Sequence, residues 1–214
     1  MSEAFKLIET MRFDRGVAHL DSHMARLKKS ADHFGIPIDT AAVRSTVLDK
    51  CAAFLSVDHA QKVRLTVDEH GHAHTTVAPI PSIAPSPRRV AISESVIDEA
   101  DSFRRHKTTK RELYDLEYRQ GLEDGLFEII YMNRAGRLAE GSRTNIFVET
   151  GGMWLTPPVE DGALPGIFRS VVLGTNKVAK EECVTAGMLH AADRVFVCNA
   201  VVGVVEVELI DFTK

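Results

Sequence analysis

Several protein classes are excluded by what this sequence lacks. Its three cysteines, Cys51, Cys183 and Cys198, are widely spaced and form no CxxC pair. An odd, scattered set argues against a disulfide framework and for a reducing compartment. No apolar run reaches the ~18 residues that a membrane-crossing helix needs. The opening MSEAFKLIETMRF carries acids where a signal peptide has an apolar core. No basic run is long enough to follow a phosphate backbone, and the formal net charge is −4. Neither nucleic acid nor membrane is therefore an expected partner, and the expected location is cytoplasmic. Internal repeats and low-complexity tracts are also missing.

What is present is an ordinary globular composition, 44% hydrophobic and 26% charged over 214 residues. That length suits one large domain or two small ones. Phe5–Phe13 alternates as a strand does, and Asp14–Gly16 turns the chain into Val17–Leu20. Met24, Leu27, Ala31 and Phe34 then mark one helical face, with Asp21 or Ser22 as the expected cap and Gly35 followed by Pro37 as the stop. A second helix is expected over Ala41–Leu55, with Val43, Val47, Cys51 and Phe54 inward. Lys62–Val67 and His74–Ala78 read as a hairpin. The proline-dense PIPSIAPSPRR reads as a linker. The expected domains are a small α/β domain over 1–80, a linker over 81–89 and a larger domain over 90–214. In the larger domain, strands are expected at Val90–Ser95, Leu126–Asn133, Asn145–Glu149, Trp154–Thr156, Arg194–Cys198 and Val204–Leu209. Helices are expected near Glu112–Gln120 and from Ile167. Strands mixed with few helices indicate an α+β fold.

Five segments carry polar chemistry, and each also has a plain structural explanation. His70, His72 and His74 resemble a metal cluster, but Gly71 marks a turn and no carboxylate or thiolate completes a ligand set, so a solvated hairpin tip is expected and no metal site. Lys107, in RRHKTTKRELYD, stands among Arg104, Arg105, Lys110 and Arg111. Neighbouring positive charge disfavours an ammonium ion, and only a neutral amine attacks an aldehyde; the alternative is a solvated basic turn. Glu140, in AEGSRTNIFVE, caps a turn or holds a cationic ring nitrogen. Pro165–Gly166 leads into an apolar helix whose first amides suit a phosphate or simply begin the helix. In FVCNAVVGV, Asn199 and Ala200 interrupt a run of valines, and Asn199 needs a backbone or ligand partner.

In this order, the segments resemble those of the class IV aminotransferases, the fold-type IV pyridoxal-phosphate enzymes. The resemblance spans nearly the whole chain. HMARLKKSADHFGIP resembles the helix whose arginine, here Arg26, binds the cofactor phosphate. HKTTKRELYD resembles the segment of the cofactor lysine, here Lys107. EGSRTNIF is similar to E-x-x-x-N-[IL]-F, whose glutamate, here Glu140, pairs with the pyridine nitrogen. LPGIFR is similar to the helix entry whose amides, here of Ile167 and Phe168, hold the phosphate while Leu164 packs on the ring. CNAVVGV resembles C-N-A-x-x-x-V of aminodeoxychorismate lyases and places Asn199 and Ala200 at the phosphate. FKLIETMRF and HKTT look most like the lyase domain fused to some para-aminobenzoate synthases. The family's usual N-terminal strand of about twenty residues is absent, and the chain begins where that fused domain begins.

The resemblance implies a two-domain fold of the D-amino-acid aminotransferase type, small N-terminal and larger barrel-like C-terminal domains with the cofactor in the cleft between them, and a homodimer. It implies Lys107 as Schiff-base lysine and general base in a lyase that converts 4-amino-4-deoxychorismate to 4-aminobenzoate and pyruvate. Arg12 and Arg143 are candidates for the substrate carboxylates, and aminodeoxychorismate synthase is an expected working partner. Two alternatives stand beside this: a class IV aminotransferase acting on branched-chain or D-amino acids, and a non-catalytic pyridoxal-phosphate-binding protein.

Overall fold

The computed structural model of the protein describes residues 5–83 and 85–211. The chain forms two compact units. The first comprises Met1–Ser82 with His106–Lys110, and the second Ile83–Arg105 with Arg111–Lys214.

In the first unit, β1 (Leu7–Phe13) leads to α1 (Leu20–Phe34) and α2 (Thr40–Ala52), followed by β2 (Gln61–Val67) and β3 (Ala73–Pro79). The three strands form an antiparallel sheet in the order β1-β2-β3. Alternation places Leu7, Met11 and Phe13 on the same face as Val63, Leu65 and Val67, and these pack with Leu27, Ala31, Val43, Val47 and Cys51. Glu9 shares that parity, lies opposite Leu65 and is 1% exposed. A carboxylate on the core face of a strand must find charged or hydrogen-bonding partners.

The expected caps of α1 are corrected at one end. The helix starts after His19, which adopts the left-handed region at φ 54° and makes no side-chain cap. The turn closes early, because Val17 bridges back to Phe13 and the Ala18 amide bonds to the Arg12 carbonyl. Asp21 therefore falls within the first turn, where its charge still complements the helix dipole. At the other end Gly35 caps as expected, at φ 66°. Helix α2 is capped by Asp39, which accepts from the Ala41 and Ala42 amides, and it ends at Ala52, so Phe54 lies beyond it. The histidine segment forms the hairpin tip. Asp68 accepts from the His70 and His72 amides, and both rings are exposed. Among the described residues no group of three or more His, Cys, Asp or Glu is placed to hold a metal ion.

The second unit contains β4 (Arg89–Ile97), α3 (Glu112–Glu123), β5 (Glu128–Asn133), β6 (Leu138–Gly141), β7 (Asn145–Thr150), β8 (Met153–Thr156), α4 (Ile167–Thr175), β9 (Ala179–Glu181), α5 (Ala186–His190), β10 (Arg194–Asn199) and β11 (Gly203–Leu209). Eight strands form one curled, barrel-like sheet in the order β6-β5-β4-β11-β10-β7-β8-β9. β4 runs parallel to both β5 and β11. The Leu138 amide of edge strand β6 bonds to the Val184 carbonyl just beyond β9, and Arg137 bridges Thr185. That pairing covers an edge that would otherwise present unpaired backbone groups. Val90, Ile130, Leu138, Ile146, Val148, Val195, Val197, Val205 and Val207 fill the interior. The chain is α+β, as its sequence indicates. Among the described residues no helix is long and apolar enough to cross a membrane.

Candidate functional site

In the first unit the candidates rest on β1 and α1. Arg26 lies one helical turn after His23, and both turn toward Glu9. Arg26 Nε donates to Glu9 Oε1 at 2.9 Å and Nη2 to Oε2 at 2.6 Å. His23 Nδ1 lies 2.6 Å from Glu9 Oε2. The fork contact fixes the plane of the guanidinium, which side-chain entropy would otherwise leave mobile. Burial pushes the Glu9 carboxyl upward, but Arg26 and its hydrogen bonds with His23 hold it down to about 2. Sequence reading found Arg26 but not Glu9 or His23, whose spacings of 17 and 14 residues carry no local signal.

Lys107 is half-buried in the short segment His106–Lys110. Its carbonyl accepts from the Ile8 amide at 2.8 Å, the Thr109 amide donates to the Lys6 carbonyl at 2.9 Å, and Thr108 bridges Leu7. The segment thus extends the sheet on the open edge of β1. Thr109 Oγ1 accepts from the Lys6 amide as well. Beside Lys107, the His106 ring stacks on His33 with centroids 4.3 Å apart, and its Nδ1 lies 2.9 Å from Ser30 Oγ. Arg12, on β1, is partly exposed and 3.9 Å from Asp14.

In the second unit Glu140 ends up 6% exposed on β6. Its Oε1 accepts from the Tyr114 hydroxyl at 3.0 Å and its Oε2 from the Leu164 amide at 2.9 Å. Leu164 is held from its other side too, because Asn145 Nδ2 donates to its carbonyl. Asn145 also explains Gly166: a Cβ there would lie 1.8 Å from Asn145 Oδ1. Gly166 is the N-cap of α4, and Ile167 and Phe168 open its first turn, where amides have no helical carbonyl behind them. A side-chain-free helix entry of this kind suits an anion.

Asn199 answers its sequence puzzle with backbone partners. Its Oδ1 accepts from the Val201 and Val202 amides, and its Nδ2 donates to the Arg143 carbonyl. Ala200 follows in the turn to β11. The loop 142–144 is pinned from below by Glu128, 2% exposed, which accepts from Ser142 Oγ, Thr144 Oγ1 and the Arg143 amide. Burial pushes the Glu128 carboxyl up, and its hydrogen bonds with Ser142, Ile129, Thr144 and Arg143 oppose this only in part. Above this loop the exposed Arg143 guanidinium lies over the Tyr118 ring, 3.8 Å from its centroid, and 3.8 Å from Asp115. The structure thus joins Glu140 with Leu164, and Asn199 with Arg143.

Comparison with known proteins follows this geometry. The profile of the amino-transferase class IV family matches residues 6–210. A Thermotoga maritima protein described as a branched-chain-amino-acid aminotransferase is 27% identical over 209 residues, 93% of this chain and 75% of that one. A Schizosaccharomyces pombe protein described as an aminodeoxychorismate lyase is 22% identical over 188 residues, 84% of this chain and 78% of that one. A crystal structure from Mesorhizobium loti, described as an amino-acid aminotransferase, superposes with a TM-score of 0.87 at 28% identity, covering 96% of this chain and all of the other.

Proposed function

This chain belongs to the class IV aminotransferase family and is a pyridoxal-phosphate-dependent enzyme, and on that premise we propose that it is a 4-amino-4-deoxychorismate lyase. The residues present fit the cofactor. Glu140 is a buried carboxylate that accepts from the Tyr114 hydroxyl and the Leu164 amide, and a buried anion there suits a cationic ring nitrogen. Gly166 opens a helix at a place where no Cβ fits, which suits a phosphate on the amides of Ile167 and Phe168. When bound, pyridoxal phosphate supplies an electron-withdrawing ring that stabilises negative charge on the substrate carbon.

The chain's own residues take the following roles. Lys107 would hold the cofactor through its amine, and its Nζ, released when the substrate amine takes its place, would accept the proton from the amine-bearing carbon of the substrate. Glu140 would hold the ring nitrogen through its buried carboxylate. Arg26, Asn199 and Ala200 would serve the phosphate with the amides of Ile167 and Phe168, and Leu164 would face the ring. The leaving enolpyruvyl ether oxygen departs with its carbons as pyruvate, and the remaining ring becomes 4-aminobenzoate.

Arg143 carries the choice of substrate. It is an exposed cation lying over the Tyr118 ring, in a loop fixed by Glu128. A preset guanidinium suits a substrate with two carboxylates better than a branched aliphatic side chain. Arg12 is the second candidate for a carboxylate. The same reading includes a homodimer, cooperation with aminodeoxychorismate synthase, which makes this substrate, and a cytoplasmic location, which the free thiols Cys51, Cys183 and Cys198 support. The likeness to the Thermotoga and Mesorhizobium proteins favours a second reading, transamination of an amino acid.

One experiment separates the two. The enzyme is given 4-amino-4-deoxychorismate alone in one tube, and a branched-chain or D-amino acid with 2-oxoglutarate in another. The expected result is 4-aminobenzoate and pyruvate in the first. Sustained glutamate in the second, with nothing in the first, makes the protein an aminotransferase.

Arg26 is tested through affinity. Arg26→Lys keeps a positive charge beside Glu9 but cannot form the fork. Cofactor binding, followed by absorbance titration, is expected to weaken about tenfold. An unchanged affinity would reduce Arg26 to a structural partner of Glu9.

A further inference from the structure

Tyr114, within the HKTTKRELYD segment, bonds directly to the proposed ring-nitrogen carboxylate. It lies on α3, is 7% exposed, and donates to Glu140 Oε1 at 3.0 Å. Its ring is gripped from two sides. The Tyr131 ring lies 4.4 Å away, and the Arg104 guanidinium sits 4.9 Å over its centroid. Tyr131 is itself fully buried and pairs with Glu140 across β5 and β6. The Tyr114 ring thus packs on the strand that pairs with its acceptor's strand.

We propose that Tyr114 is a positioning residue: its hydroxyl and the Leu164 amide each hold one oxygen of Glu140, so that the carboxylate keeps one orientation and stays an anion while it binds the cofactor's ring nitrogen. The inference rests on the reading of Glu140 given above. Two donors, one to each oxygen, prevent rotation of the carboxylate about its last bond. A buried carboxylate without them takes up a proton more readily, because burial disfavours its charge. A Glu140 that binds its own proton no longer draws one to the ring nitrogen, and the ring loses its capacity to accept electrons. The phenol is suited to the task. Burial and then the Glu140 charge push its pKa far above the usual tyrosine range, so it remains a donor at every working pH. Arg104, lying over the ring, opposes this only in part.

The test is a double-mutant cycle on the holoenzyme with Tyr114→Phe, Glu140→Gln and the pair. Phenylalanine keeps the ring between Tyr131 and Arg104 and removes only the hydroxyl. Three quantities are read in each protein: cofactor dissociation constant, the pH dependence of the bound cofactor's visible spectrum, and kcat and KM with the substrate that proves active. Tyr114→Phe is expected to shift the spectral titration in the direction of Glu140→Gln, and to lower kcat about tenfold, the scale of one hydrogen bond to a charged group, with little change in KM. In the Glu140→Gln background the same change is expected to add almost nothing to the spectral or kcat effect, because its acceptor is already neutral. Equal effects of Tyr114→Phe in both backgrounds, or a lower Tm with an unshifted spectrum, overturn the proposal and leave Tyr114 a packing residue. A wild-type protein that binds no cofactor, or a Glu140→Gln variant whose spectral titration and kcat are unchanged, overturns the reading of Glu140 itself and the inference with it.

Discussion

Lys107→Ala is expected to lower turnover by roughly a thousandfold or more, because in the proposed mechanism one amine would serve both as covalent anchor and as proton acceptor. The variant should still fold. The bonds that hold this segment to β1 run through the backbone of Lys107 and Thr109 and the side chain of Thr109, none of which the substitution removes. Loss of activity with an unchanged circular dichroism spectrum and Tm is thus the expected pair of results. In the loaded wild-type enzyme, borohydride should leave the cofactor on one peptide, the one containing Lys107. Label on another peptide, or near-normal turnover in the variant, would remove Lys107 from the chemistry.

Glu9→Gln is expected to produce the largest loss of stability. Removing the carboxylate takes from Arg26 and His23 the buried partner that they share, a change that typically costs about 3–5 kcal/mol. The pH dependence has a definite sign. Glu9 has a folded pKa lowered from 4.5 to about 2. Its contribution is present above pH 4.5 and is lost progressively as pH falls through about 2. Urea unfolding of the wild type and Glu9→Gln at a series of pH values should therefore show a wide gap at pH 7 that narrows toward pH 2. A gap of constant size down to pH 2 would mean that the Glu9 charge contributes nothing.

Much of the fold was legible because burial imposes periodicity. β1 and β2 alternate as their burial requires, Val43, Val47 and Cys51 mark the inner face of α2, and Gly35 stops α1. The elements that escaped notice, β6, β9 and α5, are three to five residues long. Segments that short take their form from the strand or loop they pair with, as β6 does between β5 and Val184. The start of α1 was misplaced because a left-handed His19 leaves no capping signature. The candidate residues themselves stood out through recognisable motifs. Their supports did not. Glu9 meets Arg26 across 17 residues, Tyr114 meets Glu140 across 26, and Ser30 meets His106 across 76. Partners this distant in sequence are chosen by tertiary packing alone.

The placement of His106–Lys110 on the edge of β1 also orders events as the protein is made. Lys6 and Thr109 are 103 residues apart, and closing a loop of that length costs on the order of 4 kcal/mol of chain entropy. The hairpin and two helices of residues 5–82 involve far shorter separations and can assemble while the ribosome is still adding the rest. The five-residue strap can dock only after residue 110 has left the exit tunnel. Lys107 thus joins a sheet whose own strands all precede it in the chain. A nascent chain arrested before that point leaves the edge of β1 without this strap.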